Sequence, residues 1–361
     1  MIVHDWVVSW AGAERCVERL LHVFPQADFV VGVITPDMRE WNSVTRRARE
    51  SWLGGLPGAR RHHRWFLPAE GLAFASLDTD GYDLVLSSAH ALAKAVPAPK
   101  HGLHMCYCHS PPRYLWDLHS TYQRDANGLQ RVALKLGVSA VRWFDKWSAQ
   151  RVDRFISNSR HVADRILRWY GRSARVVYPP VQLKCPVKGN GPRGDFLLFL
   201  GRLVPYKRVD LAIEAAARSG VKLVVAGDGP DRARLEKLAG SQVEFLGAVS
   251  EYDAGRLMEE CRAFIFCGEE DFGIAPVEAN GHGAPVIGYA SGGLLETMIP
   301  GTTAEFFDRQ EVSAVVAAIR RALARAWDTA AIRANARRFA PERFDREIRS
   351  HIESALRGEQ W

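Results

Sequence analysis

Little in this chain ties it to a membrane interior, an oxidising compartment or a redox cofactor. No apolar run approaches the roughly 20 residues that a membrane-spanning helix needs. The opening M-I-V-H-D-W lacks the charged and apolar regions of a signal peptide. Six cysteines (Cys16, Cys106, Cys108, Cys185, Cys261 and Cys267) include no C-x-x-C pair, and most lie in strand-like or helical runs. They read as buried thiols of a reducing compartment, so the expected location is the cytoplasm. No G-x-G-x-x-G follows a first strand, which leaves a nicotinamide cofactor unsupported, and the absence of G-x-x-x-x-G-K-[ST] removes a P-loop. The D-x-D at Asp78-Thr79-Asp80 falls in the turn D-T-D-G-Y-D, where turn chemistry accounts for it without a divalent ion.

What is present describes a globular protein of 361 residues, 47% hydrophobic and 25% charged, long enough for two domains. The net charge of +7 is unevenly placed. Residues 1–183 hold 24 Lys and Arg against 16 Asp and Glu, and the remainder holds 24 against 25. The densest basic stretch runs through Arg46, Arg47, Arg49, Arg60, Arg61, His62, His63 and Arg64 to Trp65 and Phe66. A basic surface with interleaved aromatics suits an anionic membrane or an anionic substrate. Nucleic acid would give the same charge signature, and an Arg-rich loop without a partner is the plain alternative.

Two series of alternating strand and helix signals follow one another. Strands are expected at 2–4, 29–34, 83–87, 104–108, 154–157 and 175–178, then at 196–200, 223–226, 243–246, 263–267 and 285–288. In the helix expected over 13–24, Val17, Leu20, Leu21 and Phe24 recur at i, i+3, i+4 and i+7. Further helices are expected over 129–151, after Ser159, over 211–218, 232–239, 252–259, 277–280 and 312–326, and near the end over 343–356. This alternation predicts an α/β protein with two doubly wound parallel sheets facing a central cleft. The Gly-, Pro- and charge-rich stretch 184–194 reads as the linker, giving domains at 1–185 and 186–340 with a last helical segment at 341–361.

Four strings in the second half place ligand-type residues in strand-to-helix loops. In F-L-L-F-L-G-R-L-V-P-Y-K-R, Gly201 lets the backbone turn from the strand end, while Arg202 and Lys207 are cations suited to a diphosphate. In V-V-A-G-D-G-P, Gly227, Asp228 and Gly229 form a turn that either approaches a ligand or is simply tight. E-D-F-G-I-A-P-V-E sets Glu270 and Glu278 around a helix start. There the amides of Phe272, Gly273, Ile274 and Ala275 can face an anion, and Pro276 suits the first turn. A-S-G-G-L-L-E adds Gly292, Gly293 and Glu296.

The order of these strings resembles the family 4 retaining glycosyltransferases of the GT-B fold. The first half agrees: H-D-W, A-G-A-E-R, C-Y-C-H-S-P-P-R-Y-L-W-D and F-I-S-N-S-R-H-V-A-D-R-I are similar to a bacterial subgroup. That subgroup includes the WbaZ-type mannosyltransferases of surface-polysaccharide assembly. The resemblance implies a hexose moved from a nucleotide diphosphate sugar, GDP-mannose by subgroup, to a saccharide acceptor that is lipid-linked. It implies that Glu278 binds the ribose hydroxyls, Glu270 the sugar hydroxyls, Arg202 and Lys207 the diphosphate, and that His109 lies beside the reacting sugar. Gly12 and Ala13 fall on the acceptor side. It further implies a same-face substitution in which the departing phosphate helps remove the acceptor's proton, with neither metal nor other cofactor and no protein nucleophile. Peripheral association with an anionic membrane at the inner face of the cell would suit the basic first half.

Two departures from the family pattern stand out. The first strand is cut to Met1-Ile2-Val3 before His4-Asp5, which reads as either a late start or an unusually short edge of the first sheet, and a loop that is Gly-Gly-Ala-Glu in relatives is Ala11-Gly12-Ala13-Glu14 here. Ala11 takes positive φ less readily than Gly. The alternatives are a UDP-sugar-dependent enzyme acting on a small natural product, a basic nucleic-acid-binding protein, and a catalytically silent scaffold.

Overall fold

The computed structural model describes residues 1–117, 128–183 and 193–359, with Arg64 and residues 128–136 described by backbone alone. Most of the stretch expected as a linker, together with Cys185, lies outside the described residues. Two compact units are formed, one from residues 1–180 with 344–361 and the other from 181–343.

Among the described residues, the first unit holds seven parallel strands. They are β1 (Ile2–Val7), β2 (Phe29–Ile34), β3 (Arg49–Glu50), β4 (Leu84–Ala89), β5 (Leu103–Cys108), β6 (Arg154–Ser157) and β7 (Ala174–Val176). Their order across the sheet is β3-β2-β1-β4-β5-β6-β7. Alternate residues of one strand feed opposite faces. Ile2, Met105 and Tyr107 join the core under the helices Gly12–Val23 and Pro341–Leu356, whereas Val3, Cys106 and Cys108 pack with Val162, Ile166 and Tyr170 on the other side. The helix Pro341–Leu356 joins this unit through Phe344, Ile348, Ile352 and Ala355, a stripe of near-fourfold spacing.

The first strand corrects the sequence reading. It runs six fully buried residues through His4, Asp5 and Trp6, and it is central, paired with β2 on one side and β4 on the other. Polar His4 and Asp5 break the apolar run in the sequence but bond Ser88 and the backbone beyond β4 inside the fold, so the strand continues through them.

The second unit carries β8 (Phe196–Leu200), β9 (Lys222–Ala226), β10 (Val243–Gly247), β11 (Ala263–Phe266), β12 (Val286–Tyr289) and β13 (Ala304–Phe307), in the order β10-β9-β8-β11-β12-β13. Counted within the unit this is 3-2-1-4-5-6, the dinucleotide-fold order, whose direction reverses between β8 and β11. Loops leaving the C-terminal ends of those two strands therefore diverge to opposite faces and open a crevice between them. β3, β13 and the helix Thr329–Arg337 are elements that periodicity did not predict. Among the described residues no helix is long and apolar enough to cross a membrane.

Candidate functional site

In the second unit, the loops after β8 and β11 meet at the reversal point. A Cβ on Gly268 would lie 2.6 Å from the Tyr206 carbonyl oxygen and 2.7 Å from Lys207 Cα, so only glycine permits this approach. Lys207 ends the short 3-10 turn Pro205–Lys207 and reaches Glu270, with Nζ 3.4 Å from Oε1. Both side chains are largely shielded, 15% and 20% exposed, which keeps this contact from being screened away. Lys207 also lies over the Phe266 ring at 5.9 Å.

Arg208, next in the chain, takes a left-handed backbone (φ 51) and is the non-glycine residue with positive φ among the described residues. Strain of this kind costs on the order of 1–3 kcal/mol and must be held by its surroundings. Here its guanidinium bonds Asp210 and Gln310, and Gln310 in turn donates to the Cys267 carbonyl at 2.8 Å. The turn thus fixes where Lys207 points. Sequence reading passed over Arg208 and Gly268, because nothing local distinguishes them. Arg202 stands exposed on the same loop.

The G-D-G-P turn after β9 serves this loop first. Gly227 has φ 127, and a Cβ there would fall 2.0 Å from the Gly201 carbonyl oxygen. Leu203 N–H donates to the Asp228 carbonyl at 2.9 Å. The Asp228 carboxylate accepts from Gly229 N–H at 2.7 Å and meets Arg232 at 3.2 Å. Tight packing of two loops is the reason for these glycines.

Glu270 lies in the loop between β11 and the helix Ile274–Gly281, whose N-cap Gly273 has φ 89. Pro276 has no N–H to leave unpaired in the first turn, so Ile274 and Ala275 supply its early amides. Phe272 turns inward, edge-on to Phe339 at 5.3 Å. Gly293 N–H donates to the Glu270 carbonyl at 2.8 Å, and a Cβ on Gly293 would sit 2.4 Å from Phe272 Cα. The S-G-G loop therefore braces the segment that presents Glu270. Glu278 is half-buried on the second turn.

The first unit carries a second polar cluster, also at its sheet reversal, between β1 and β4. Pairing sets His4 beside Ser88. His4 Nδ1 lies 3.0 Å from the Ser88 carbonyl oxygen and 3.1 Å from Ser88 Oγ, and Ser88 Oγ lies 2.8 Å from His109 Nε2. Glu14 Oε1 stands 3.8 Å from His4 Nε2. Asp5 caps the chain beyond β4, accepting from the backbone N–H groups of His90, Ala91 and Ala93 at 2.6–2.8 Å. Burial opposes a charge on His4, yet the neighbouring Glu14 carboxylate, with Asp5 and the Ser88 carbonyl, raises its pKa above the ordinary imidazole value. Burial, followed by the charges of His90 and His4, holds His109 well below that value.

Gly12 and Ala13 begin the helix Gly12–Val23 and are half-buried. Ala11 is extended (φ −135), so its position does not call for glycine, which corrects the expected difficulty there. The Ala11 N–H instead donates to Glu14 Oε2 at 3.0 Å. Only His109, Gly12 and Ala13 of this cluster's neighbourhood were singled out from sequence. His4, Glu14 and Ser88 had no spacing signal to join them.

The basic stretch is partly neutralised. Arg39 and Arg60 share Glu50, Arg46 pairs with Glu40, and Arg47 donates to the carbonyls of Pro25 and Ala27. Trp65 is 84% exposed and stacks on His62. In the D-x-D turn, Asp78 accepts from Asp80 N–H and Asp80 pairs with Lys100, so both carboxylates have turn or surface roles.

Two doubly wound parallel sheets with ligand-type residues at the reversal of each define a protein of GT-B type. Family comparison agrees along nearly the whole length. The model for "Glycosyltransferase Family 4" matches residues 10–184 and that for "Glycosyl transferases group 1" matches residues 186–339. The chain belongs to the family 4 glycosyltransferases. It is 28% identical over 180 residues to an uncharacterized glycosyltransferase of Methanocaldococcus jannaschii, covering 48% of this chain and 50% of that protein. It is 38% identical over 106 residues to a GDP-mannose-dependent alpha-mannosyltransferase of Mycobacterium tuberculosis, covering 29% of this chain and 28% of that one. The chain thus spans half or less of the length of these curated relatives. The HepE structure from Anabaena, in complex with UDP, superposes with a TM-score of 0.69 at 17% identity, covering 98% of this chain and 99% of that one.

Proposed function

We propose that the chain is a retaining glycosyltransferase that moves a hexose from a nucleotide diphosphate sugar to a hydroxyl of a saccharide acceptor. The observation that carries this reading is the Lys207–Glu270 pair at the reversal point of the second sheet, a cation and a carboxylate 3.4 Å apart. Breaking the bond from sugar to diphosphate builds negative charge on the leaving phosphate. A cation fixed there before reaction lowers that barrier without rearranging. In this reading Lys207 and Arg202 take the diphosphate, the amides of Phe272 to Ala275 complete the contact, and Gly227 with Asp228 border the nucleotide. Glu278 takes the ribose and Glu270 the sugar hydroxyls. His109 positions the reacting sugar, and Gly12 and Ala13 lie on the acceptor side. The acceptor oxygen bonds to the anomeric carbon on the face the phosphate leaves, and the phosphate oxygen receives the acceptor's proton, so neither protein nucleophile nor metal enters.

The donor assigned is GDP-mannose, supported by the relative that uses it, with residues 186–340 binding the donor. Residues 1–185, with the return segment 341–361, bind the acceptor. That acceptor is a lipid-linked saccharide of surface-polysaccharide assembly, met at the cytoplasmic face of the membrane, as in the WbaZ-type enzymes. A UDP-sugar used on a small natural product is the competing assignment, and nucleic-acid binding the remote one. Thermal-shift titration with GDP-mannose, UDP-glucose, ADP-glucose and dTDP-glucose tests the reading, because a ligand that binds only the folded state raises the melting temperature by mass action. We expect the largest shift with GDP-mannose. A folded sample that responds to none of the four would sink the proposal.

A further inference from the structure

The buried polar groups of the first unit leave little freedom in where their hydrogens sit. The Ser88 carbonyl can only accept, and His4 Nδ1 is 3.0 Å from it, so His4 Nδ1 carries a hydrogen. That N–H is also 3.1 Å from Ser88 Oγ, which meets the hydroxyl oxygen with a donor. The hydroxyl's own hydrogen is then directed to His109 Nε2 at 2.8 Å. An accepting Nε2 puts the single hydrogen of a neutral His109 ring on Nδ1.

We propose that Glu14, His4 and Ser88 form a relay that holds His109 as a neutral imidazole protonated on Nδ1, making it a hydrogen-bond donor to substrate and not a proton acceptor. Glu14 anchors the far end: Oε2 accepts from Ala11 N–H at 3.0 Å, and Oε1 faces His4 Nε2 at 3.8 Å. The carboxylate favours the cationic form of His4, and that charge opposes a second proton on His109. The groups around His109 come from several elements, among them the helix Arg160–Tyr170, whose Arg165 donates to Ser110 Oγ at 2.6 Å beside it. β1 supplies His4 and Asp5, and the helix Gly12–Val23 supplies Glu14. The end of β4 supplies Ser88 and His90, whose Nδ1 is 3.3 Å from Asp5, and β5 supplies Tyr107, with its ring 5.1 Å from that of His109. Asn158, after β6, donates to the His109 carbonyl at 2.8 Å and fixes the backbone. His4, Ser88 and Glu14 are thus positioning residues that act through His109.

The proton assignment stands on geometry, while its consequence for sugar transfer rests on the function proposed above; the test keeps the two apart. Long-range ¹H–¹⁵N spectra of the full chain, labelled on its twelve histidines, are compared with those of His109→Gln to assign the ring. We expect the neutral Nδ1–H form to persist below the ordinary imidazole value of 6.5. In Ser88→Ala, Nε2 loses its donor, and His109 should become a mixture of tautomers that titrates closer to the ordinary value of 6.5. Glu14→Gln, which keeps the shape of the side chain, should shift His109 in the same direction by less. A wild-type ring protonated on Nε2, or a Ser88→Ala spectrum with the wild-type tautomer, overturns the relay. In transfer assays with a nucleotide sugar, Ser88→Ala should lose about tenfold in kcat and gain a new pH limb on the acid side. An unchanged kcat and pH profile in that variant would overturn the catalytic consequence. Absence of transfer in the wild-type protein bears on the function alone, since the spectra still decide the proton arrangement.

Discussion

Replacing Glu270 by Gln should separate nucleotide binding from sugar transfer. Lys207 is engaged by Glu270 at 3.4 Å. Two unit charges at that distance attract by about 1 kcal/mol in bulk water and about 5 kcal/mol at an effective dielectric of 20. A diphosphate arriving at Lys207 must share it with that carboxylate. The net penalty lies toward the lower figure, because the phosphate brings its own charge and hydrogen bonds. Glu270→Gln removes the competitor, so a nucleoside diphosphate without sugar should bind as well as to wild type, or up to about tenfold tighter, which corresponds to roughly 1.4 kcal/mol. The same variant loses a charged acceptor for sugar hydroxyls. A hydrogen bond of that type is worth about 1.5–3 kcal/mol, so turnover should fall ~10- to 150-fold. Lys207→Met should weaken diphosphate binding by a similar factor. Isothermal titration with GDP and UDP, set beside a transfer assay, reads both quantities. If Glu270→Gln weakens diphosphate binding in step with Lys207→Met, Glu270 serves the phosphate side and the assigned division of labour is wrong.

Three further outcomes follow from the packing. Gly227→Ala, with φ 127 and a Cβ 2.0 Å from the Gly201 oxygen, should cost about 3 kcal/mol or more in urea unfolding; Gly240→Ala, where nothing lies within 4 Å, should stay within about 0.5 kcal/mol. Glu70 is fully buried, and burial, then the charge of Asp5, raises its pKa well above 4.5 against the opposing pull of Lys94. A carboxyl raised in the folded state loses stability as pH rises through its unfolded value, so Glu70→Gln should leave stability unchanged near pH 4 and raise it at pH 8, as denaturant midpoints would report. If the basic, aromatic stretch meets an anionic bilayer, Trp65→Ala should reduce co-sedimentation with phosphatidylglycerol vesicles severalfold and leave thermal stability untouched, because Trp65 is 84% exposed. Equal sedimentation of the two proteins would count against that surface.

The second sheet was legible because β8, β9 and β11 are short apolar runs that each end in glycine, a local signal. β13 was not, because its run A-E-F-F carries a glutamate. β3 has two residues, Arg49 and Glu50, and no apolar pattern at all. The first-unit cluster was hidden for a different reason. His4 and Ser88 are 84 residues apart and meet only through the register of β1 against β4, while His109 is added through β5. No periodicity encodes a parallel register. Reading His4 and Asp5 as the end of a strand was the natural consequence of treating polar residues as surface. Glu270, Lys207 and the helix start could be picked out because their roles depend on loop position after a strand. Arg208 could not, since its left-handed backbone is imposed by neighbours and has no glycine to mark it.

The glycine contacts in the second unit carry a consequence for how this protein can change. At Gly227, Gly268 and Gly293 a methyl group would collide with main-chain atoms of a different loop. Trimming a side chain elsewhere cannot relieve such a collision, so compensation must come from moving a whole loop. The segments after β8, β9, β11 and β12 consequently form one interlocked block. Exposed side chains of the block that are not assigned to the donor can change without disturbing that frame. A chimera that exchanges one of these loops with a relative should misfold locally, whereas one that exchanges the set should fold. Changes of preferred sugar would then accumulate by repainting a rigid frame, with the frame itself passing unaltered between enzymes of different specificity.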